Sequence, residues 1–213
     1  MSQQKIFIIG LPRTSTTSVC LAMLNLGFTT AHTAYTHKTM EQAQVIADTP
    51  VFCDYQALDK AYPNAKFIYL TRKAELWIPS IKQLLQRMYT NLQRTDGGFN
   101  PVLKRCYNKI FSELTEENIK QDQFLLACYQ RHFQGVKDFF KGREQDLLII
   151  DVSEANSYCA LVEFLALKES DKPIASQQNF EHINKGGKVT AWKKVKHPLK
   201  IEATIRGRVD KIS

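Results

Sequence analysis

Lys5-Ile-Phe-Ile-Ile-Gly10-Leu-Pro-Arg-Thr-Ser15-Thr-Thr-Ser18, followed by Val19-Cys-Leu-Ala-Met-Leu-Asn-Leu26, is the stretch from which the architecture can be read. Four consecutive apolar residues, Ile6 to Ile9, three of them β-branched, predict a strand buried on both faces of a parallel sheet. Apolar positions from Thr16 to Leu26, stopped by Gly27, predict the helix that follows. A strand running through a small-residue loop into a helix aims backbone N–H groups at one point, and the helix dipole adds positive charge there. The loop therefore reads as a cradle for phosphate or sulfate. Thr14, Ser15, Thr16, Thr17 and Ser18 add hydroxyl donors, and Arg13 adds a guanidinium able to hold two anionic oxygens.

Outward from this stretch the pattern alternates. A short strand is predicted near 28–30, a helix over 37–47 broken by Asp48-Thr-Pro50, and a short helix over 55–61 with Asp54 as its N-cap. Lys66 to Thr71 predicts a second buried strand, 74–91 a helix, and 116–141 one long helix. Asp146 to Asp151 predicts a third buried strand and 160–167 a closing helix. Strands alternating with helices give an α/β class: three layers, α/β/α, around a central parallel sheet. Residues 1–213 are expected to form one domain, with a lid or insert over about 92–117 and a basic C-terminal segment over 185–213.

Composition narrows the function classes. The 44% hydrophobic and 23% charged residues are those of a globular chain. No stretch approaches the roughly 20 apolar residues of a membrane span, and no signal peptide precedes Ile6, so a cytoplasmic protein is expected. The five cysteines are scattered singly, without metal-ligand spacing, and an odd count argues against a disulfide framework. Buried free thiols and no metal site are expected. Net charge is +8, and +7 of it lies from Lys185 onward, where nine Lys or Arg face only Glu202 and Asp210. Such a tail suits an anionic ligand or partner by long-range attraction. Its single aromatic residue, Trp192, argues against nucleic acid.

The nucleotide-hydrolase version of the loop reads GxxxxGK[ST]. Gly10 and Thr17 fit it, but Ser15 stands at the second glycine and Thr16 at the lysine that a kinase or ATPase uses on the β- and γ-phosphates. Gly10-Leu-Pro-Arg-Thr-Ser-Thr-Thr-Ser18, followed by the Leu26-Gly-Phe28 helix end, instead resembles the 5′-phosphosulfate loop of sulfotransferases, in their bacterial and fungal branch. A second match lies in Lys66-Phe-Ile-Tyr-Leu-Thr-Arg72-Lys-Ala-Glu-Leu-Trp77-Ile-Pro-Ser80, which resembles the family's 3′-phosphate site. Weaker likenesses run through Tyr129 to Glu154 and Phe164 to Lys185.

The resemblance implies a P-loop-type fold and transfer of a sulfonate group from 3′-phosphoadenosine 5′-phosphosulfate (PAPS) to a hydroxyl or amine, releasing 3′-phosphoadenosine 5′-phosphate (PAP), without a metal. It places Arg13 at the catalytic cation, Thr16, Thr17 and Ser18 on the 5′-phosphate, and Arg72 with Ser80 on the 3′-phosphate. The base is expected at Asp48, whose pKa burial would raise, or at His32, whose ordinary pKa suits proton transfer. The acceptor would be a small molecule or carbohydrate; neither it nor the oligomeric state is legible. Lys185-Gly-Gly-Lys188 and Trp192-Lys-Lys194 loosely resemble a segment closing over the 3′-phosphate in cytosolic members. Two other readings stand beside this one. Leu147-Leu-Ile-Ile-Asp151 resembles a Walker B strand, as in a Mg-ATP-dependent kinase or NTPase. Ser15, in place of glycine, suits a module that binds nucleotide without turnover.

Overall fold

The structure, a computed structural model, describes residues 4–167, 180, 191–205 and 210–212. The apolar run after Lys5 forms β1 (Ile6–Ile8), and the loop leads into α1 (Thr16–Asn25). Then come β2 (Thr30–Ala31), α2 (His37–Gln42), β3 (Val45–Ala47), α3 (Val51–Ala61) and β4 (Lys66–Thr71). The helices α4 (Ala74–Gln93), α5 (Pro101–Ile110), α6 (Glu116–Lys120) and α7 (Asp122–Phe139) precede β5 (Leu147–Asp151) and α8 (Ser157–Phe164).

The five strands lie in the order β2-β3-β1-β4-β5, every pair parallel, so β1 sits at the centre. Ile6 pairs with Val45 on one side and Lys66 on the other. Side chains alternate across the sheet, as the two-residue period demands. Ile6 and Ile8 pack with α1 and α8 through Val19, Met23 and Leu161. Phe7 and Ile9 pack on the opposite face with Tyr55, Val136 and Phe140 of α3, α7 and its end. The expected α/β class with helices on both faces of a parallel sheet is thus observed. A further apolar cluster joins α4 to α7 through Trp77, Ile81, Leu85, Cys106, Phe111 and Leu125.

Two predicted helices in particular differ from expectation. The helix predicted over 37–47 ends at Gln42, and Val45–Ala47 is a strand. Val45 and Ile46 are β-branched and pair with strands on both sides, so tertiary pairing outweighs the local helical pattern. The helix predicted over 116–141 breaks at Gln121, whose ψ is 115°. Lys82 Nζ of α4 donates to the carbonyl of Lys120 at 2.9 Å, satisfying an oxygen that the break frees. The region 92–117, expected as a lid or insert, contains α5, which buries Val102, Cys106 and Tyr107. Asn100 caps it by accepting from Val102 N at 2.9 Å, with Pro101 at the first helical position.

The described part of the C-terminal segment lies along the outer edge of the sheet. Thr30 N donates to Leu199 O and Ile201 N to Thr30 O, while Tyr35 N donates to Ala203 O and Ile212 N to Tyr35 O. These bonds cover the β2 edge, whose backbone groups would otherwise stand open to pairing. The loop Lys185-Gly-Gly-Lys188 and the family-like stretch after Leu167, Phe180 excepted, lie outside the described residues. Among the described residues no helix is long and apolar enough to cross a membrane.

Candidate active site

The loop after β1 turns sharply because Gly10 has no side chain. A Cβ there would lie 2.7 Å from Leu70 Cβ and 2.9 Å from Leu70 N, inside van der Waals contact. The loop is then pinned by what lies after β4. Trp77 Nε1 donates to Pro12 O at 2.9 Å, and Arg72 Nη1 donates to Arg13 O at 2.8 Å. Arg13 Nε in turn donates to Ser80 Oγ at 2.8 Å. The two sequence motifs, about 60 residues apart, are therefore one structural unit. Tyr129 of α7 steadies it from behind, its hydroxyl accepting from Arg72 N at 3.0 Å and its ring 4.8 Å from that of Trp77.

Arg13 and Ser15 both adopt left-handed backbone, with φ of 74° and 72°. That conformation turns the start of α1 inward, and the N–H groups of Ser15, Thr16 and Thr17 donate to no described residue. Three free donors at a helix N-terminus make a seat for an anion. No carboxylate among the described residues pairs with Arg13 or Arg72. Burial and the neighbouring Arg72 and Arg87 lower the Arg13 pKa from its ordinary value. An incoming anion would relieve that mutual repulsion.

These groups open onto one cavity of about 370 Å³. Arg13, Ser15, Thr16, Thr17, Ser18, His32, Asp48, Arg72 and Ser80, all named from sequence, line it together. Thr14 does not: it is buried, and its hydroxyl donates back to Leu11 O at 2.7 Å, shaping the loop rather than facing a ligand. His32 sits at the cradle end, with Nε2 3.1 Å from both the Thr16 and Thr17 hydroxyls and its ring 5.6 Å from that of Trp192. Burial lowers its pKa, against an opposing pull from Asp48, which favours the neutral ring. Asp48 follows β3 with φ 52°, and Thr49 Oγ1 donates to its Oδ1 at 3.1 Å, the carboxylate's one hydrogen bond among the described residues.

Sequence reasoning missed Thr33, Tyr35 and Thr49, which complete the wall with Tyr107, Leu84, Met88 and Leu103. Thr33 and Tyr35 follow His32 and could have been taken with it. Tyr107 rides on α5, within the region expected as a lid or insert. Burial and then Asp48 push the phenols of Tyr35 and Tyr107 well above their ordinary pKa, so both stay protonated and able to donate. One expectation is refined: Asp54 stands at a kink within α3, with φ −109° and ψ 16°, and its two oxygens are gripped by Arg105 at 2.8 and 2.6 Å rather than accepting a capping bond. Asp151 closes β5, which β4 separates from the cradle strand. It accepts from Ser153 N and Oγ at 2.9 and 2.7 Å and lines a different hollow from the cradle cavity.

Comparison with known proteins adds one match. The model of the sulfotransferase domain family covers residues 33–189, about three quarters of the chain. No curated protein matches. The family match begins after the cradle loop and takes in Asp48, Arg72 and Ser80. The parallel sheet flanked by helices is the arrangement such a domain requires, and a match over that length makes this chain a member of the sulfotransferase family.

Proposed function

We propose that the protein, acting as one domain over 1–213, transfers a sulfonate group from PAPS to a hydroxyl or amine of a small-molecule or carbohydrate acceptor. The observation that carries this is the joining of two anion-binding halves, Arg13 to Ser18 and Arg72 with Ser80, on the wall of one cavity. A donor phosphorylated at both its 3′ and 5′ positions presents two anions, and the cleft offers two guanidinium groups and three free backbone N–H groups. A single-ended ligand such as ATP would leave one half unused.

The bound donor supplies an activated sulfonate whose leaving group is a phosphate. Arg13 lies where it neutralises charge growing on the bridging oxygen, and Thr16, Thr17 and Ser18 hold the 5′-phosphate oxygens. Arg72 and Ser80 take the 3′-phosphate. Asp48 is the better-placed base, since its carboxylate keeps free acceptor sites at the cavity wall. His32, shared between two hydroxyls, orients them towards the phosphate. Tyr35, Tyr107, Leu84, Met88 and Leu103 then form the acceptor side, apolar with phenolic donors.

Calorimetry with PAP tests this reading. The protein is expected to bind PAP without added metal, and Arg72→Ala to weaken binding by about 10- to 100-fold, the worth of a charge-assisted hydrogen bond. Asp48→Asn should keep PAP binding while lowering turnover about 10²- to 10⁴-fold. Absence of PAP binding, or binding indifferent to Arg72→Ala, would overturn the donor assignment.

A further inference from the structure

Outside the cleft, the side chains of Cys53, Asp54 and Cys106 place their sulfur and oxygen atoms within 4.8 Å of one another. Cys53 is on α3 and Cys106 on α5, helices that pack together through Phe52 and Tyr107 at 5.9 Å between rings. A cation here would need a third ligand beside the two thiols. Asp54 does not supply it, because Arg105 already holds both its oxygens. What remains is a pair of thiols, both free and both buried.

The two are not equivalent. Cys53 lines a hollow of about 190 Å³ with Lys109, Cys128 and Arg131, so a small molecule can reach it. Arg105 Nη1 is 4.0 Å from its sulfur, a cation beside the thiol that favours the thiolate. The neighbouring Cys106 sulfhydryl further lowers the Cys53 pKa, and Cys53 itself and burial push that of Cys106 up. Cys106 is fully enclosed.

We propose that Cys53 and Cys106 form a dithiol site that hydrogen peroxide oxidises to a disulfide joining α3 to α5. The Cys53 thiolate attacks one peroxide oxygen, the O–O bond breaks, and the other oxygen leaves as water once protonated, giving a sulfenic acid. Cys106 then attacks the Cys53 sulfur, and the sulfenic oxygen departs as a second water carrying the Cys106 proton. Two electrons pass from the thiols to the peroxide, and the chain loses two hydrogens. The residue after Cys106 is Tyr107, so the bond would be made one position from the wall of the candidate cleft.

The test is treatment of the folded, full-length chain with hydrogen peroxide, followed by thiol counting, intact mass and peptide mapping. Five free thiols are expected to fall to three, with a mass loss of two hydrogens and a Cys53–Cys106 linked peptide that dithiothreitol dissolves. Cys53→Ser and Cys106→Ser should each abolish the link, and Cys159→Ser should leave it intact. Oxidation confined to the exposed Cys159, or a link from Cys53 to Cys128 instead, overturns the proposal. Because no sulfonate transfer is measured, its failure is separate from failure of the proposed function.

Discussion

At Gly10 the backbone of the cradle loop passes so close to Leu70 that one methyl group would displace it. Gly10→Ala is therefore expected to lower stability by about 1–3 kcal/mol, the usual cost of overpacking, and to weaken PAP binding in parallel. Ser15 is the opposite case. Its φ of 72° suits glycine, and a Cβ in that region costs roughly 1–2 kcal/mol, offset in part by the backbone entropy that glycine loses. Ser15→Gly should leave the fold intact and raise stability by up to about 1 kcal/mol; a clear loss on denaturant titration would show that the serine hydroxyl has a role of its own. Most of the candidate site was legible at this scale, because Arg13, Arg72 and Ser80 line one cavity from positions that local strand-to-helix geometry dictates. Thr14 was misread, and the partner of Asp54 missed, because the direction of a short polar side chain depends on neighbours that the local pattern does not reveal: Arg105, far along the chain, decides the second case.

Between elements, α3 and α5 are tied by the fork of Arg105 on Asp54, whose side chains are 40% and 21% exposed. Solvent screening limits such a pair to about 1 kcal/mol or less. Asp54→Asn should therefore change global stability little, yet speed hydrogen exchange in α5 relative to α4; equal exchange in both helices would mean that apolar packing alone holds α5. The limits of sequence reading are clearest here. Lys66 to Thr71 was readable to the residue, since a central strand buried on both faces is apolar through its middle. Val45–Ala47 was not, since three residues after a helical pattern acquire strand character only from β1 and β2 beside them.

Across the whole molecule, one buried titratable group links the layers. His132 of α7 donates from Nε2 to Phe52 O at 2.7 Å and accepts at Nδ1 from the Tyr69 hydroxyl at 3.1 Å, bridging helix α7, α3 and strand β4. Burial lowers its pKa from 6.5 to about 4. The unfolded chain takes up that proton first as pH falls, so the stability this ring confers is complete above about pH 6.5 and is lost progressively from there down to about pH 4. The loss amounts to ~3 kcal/mol, since each tenfold change in proton affinity is worth about 1.4 kcal/mol. His132→Phe should thus be less stable at neutral pH yet show a flatter decline on acidification; an unchanged slope in denaturant titrations at several pH values would exclude His132 as its source. Nothing in the local sequence marks this histidine as a bridge, since its two partners come from other elements.

The bonds from residues 199–212 to the β2 edge also bear on when the cleft can exist. Thr39 Oγ1 bonds to Glu202 O and Lys38 N to Asp210 across 163 and 172 positions of chain. During synthesis, the strand edge and the wall carrying His32 and Tyr35 leave the ribosome long before the residues that cover them. Until those residues emerge, the nascent chain presents an open parallel edge beside an unfinished cavity, the form in which such folds are most exposed to mispairing.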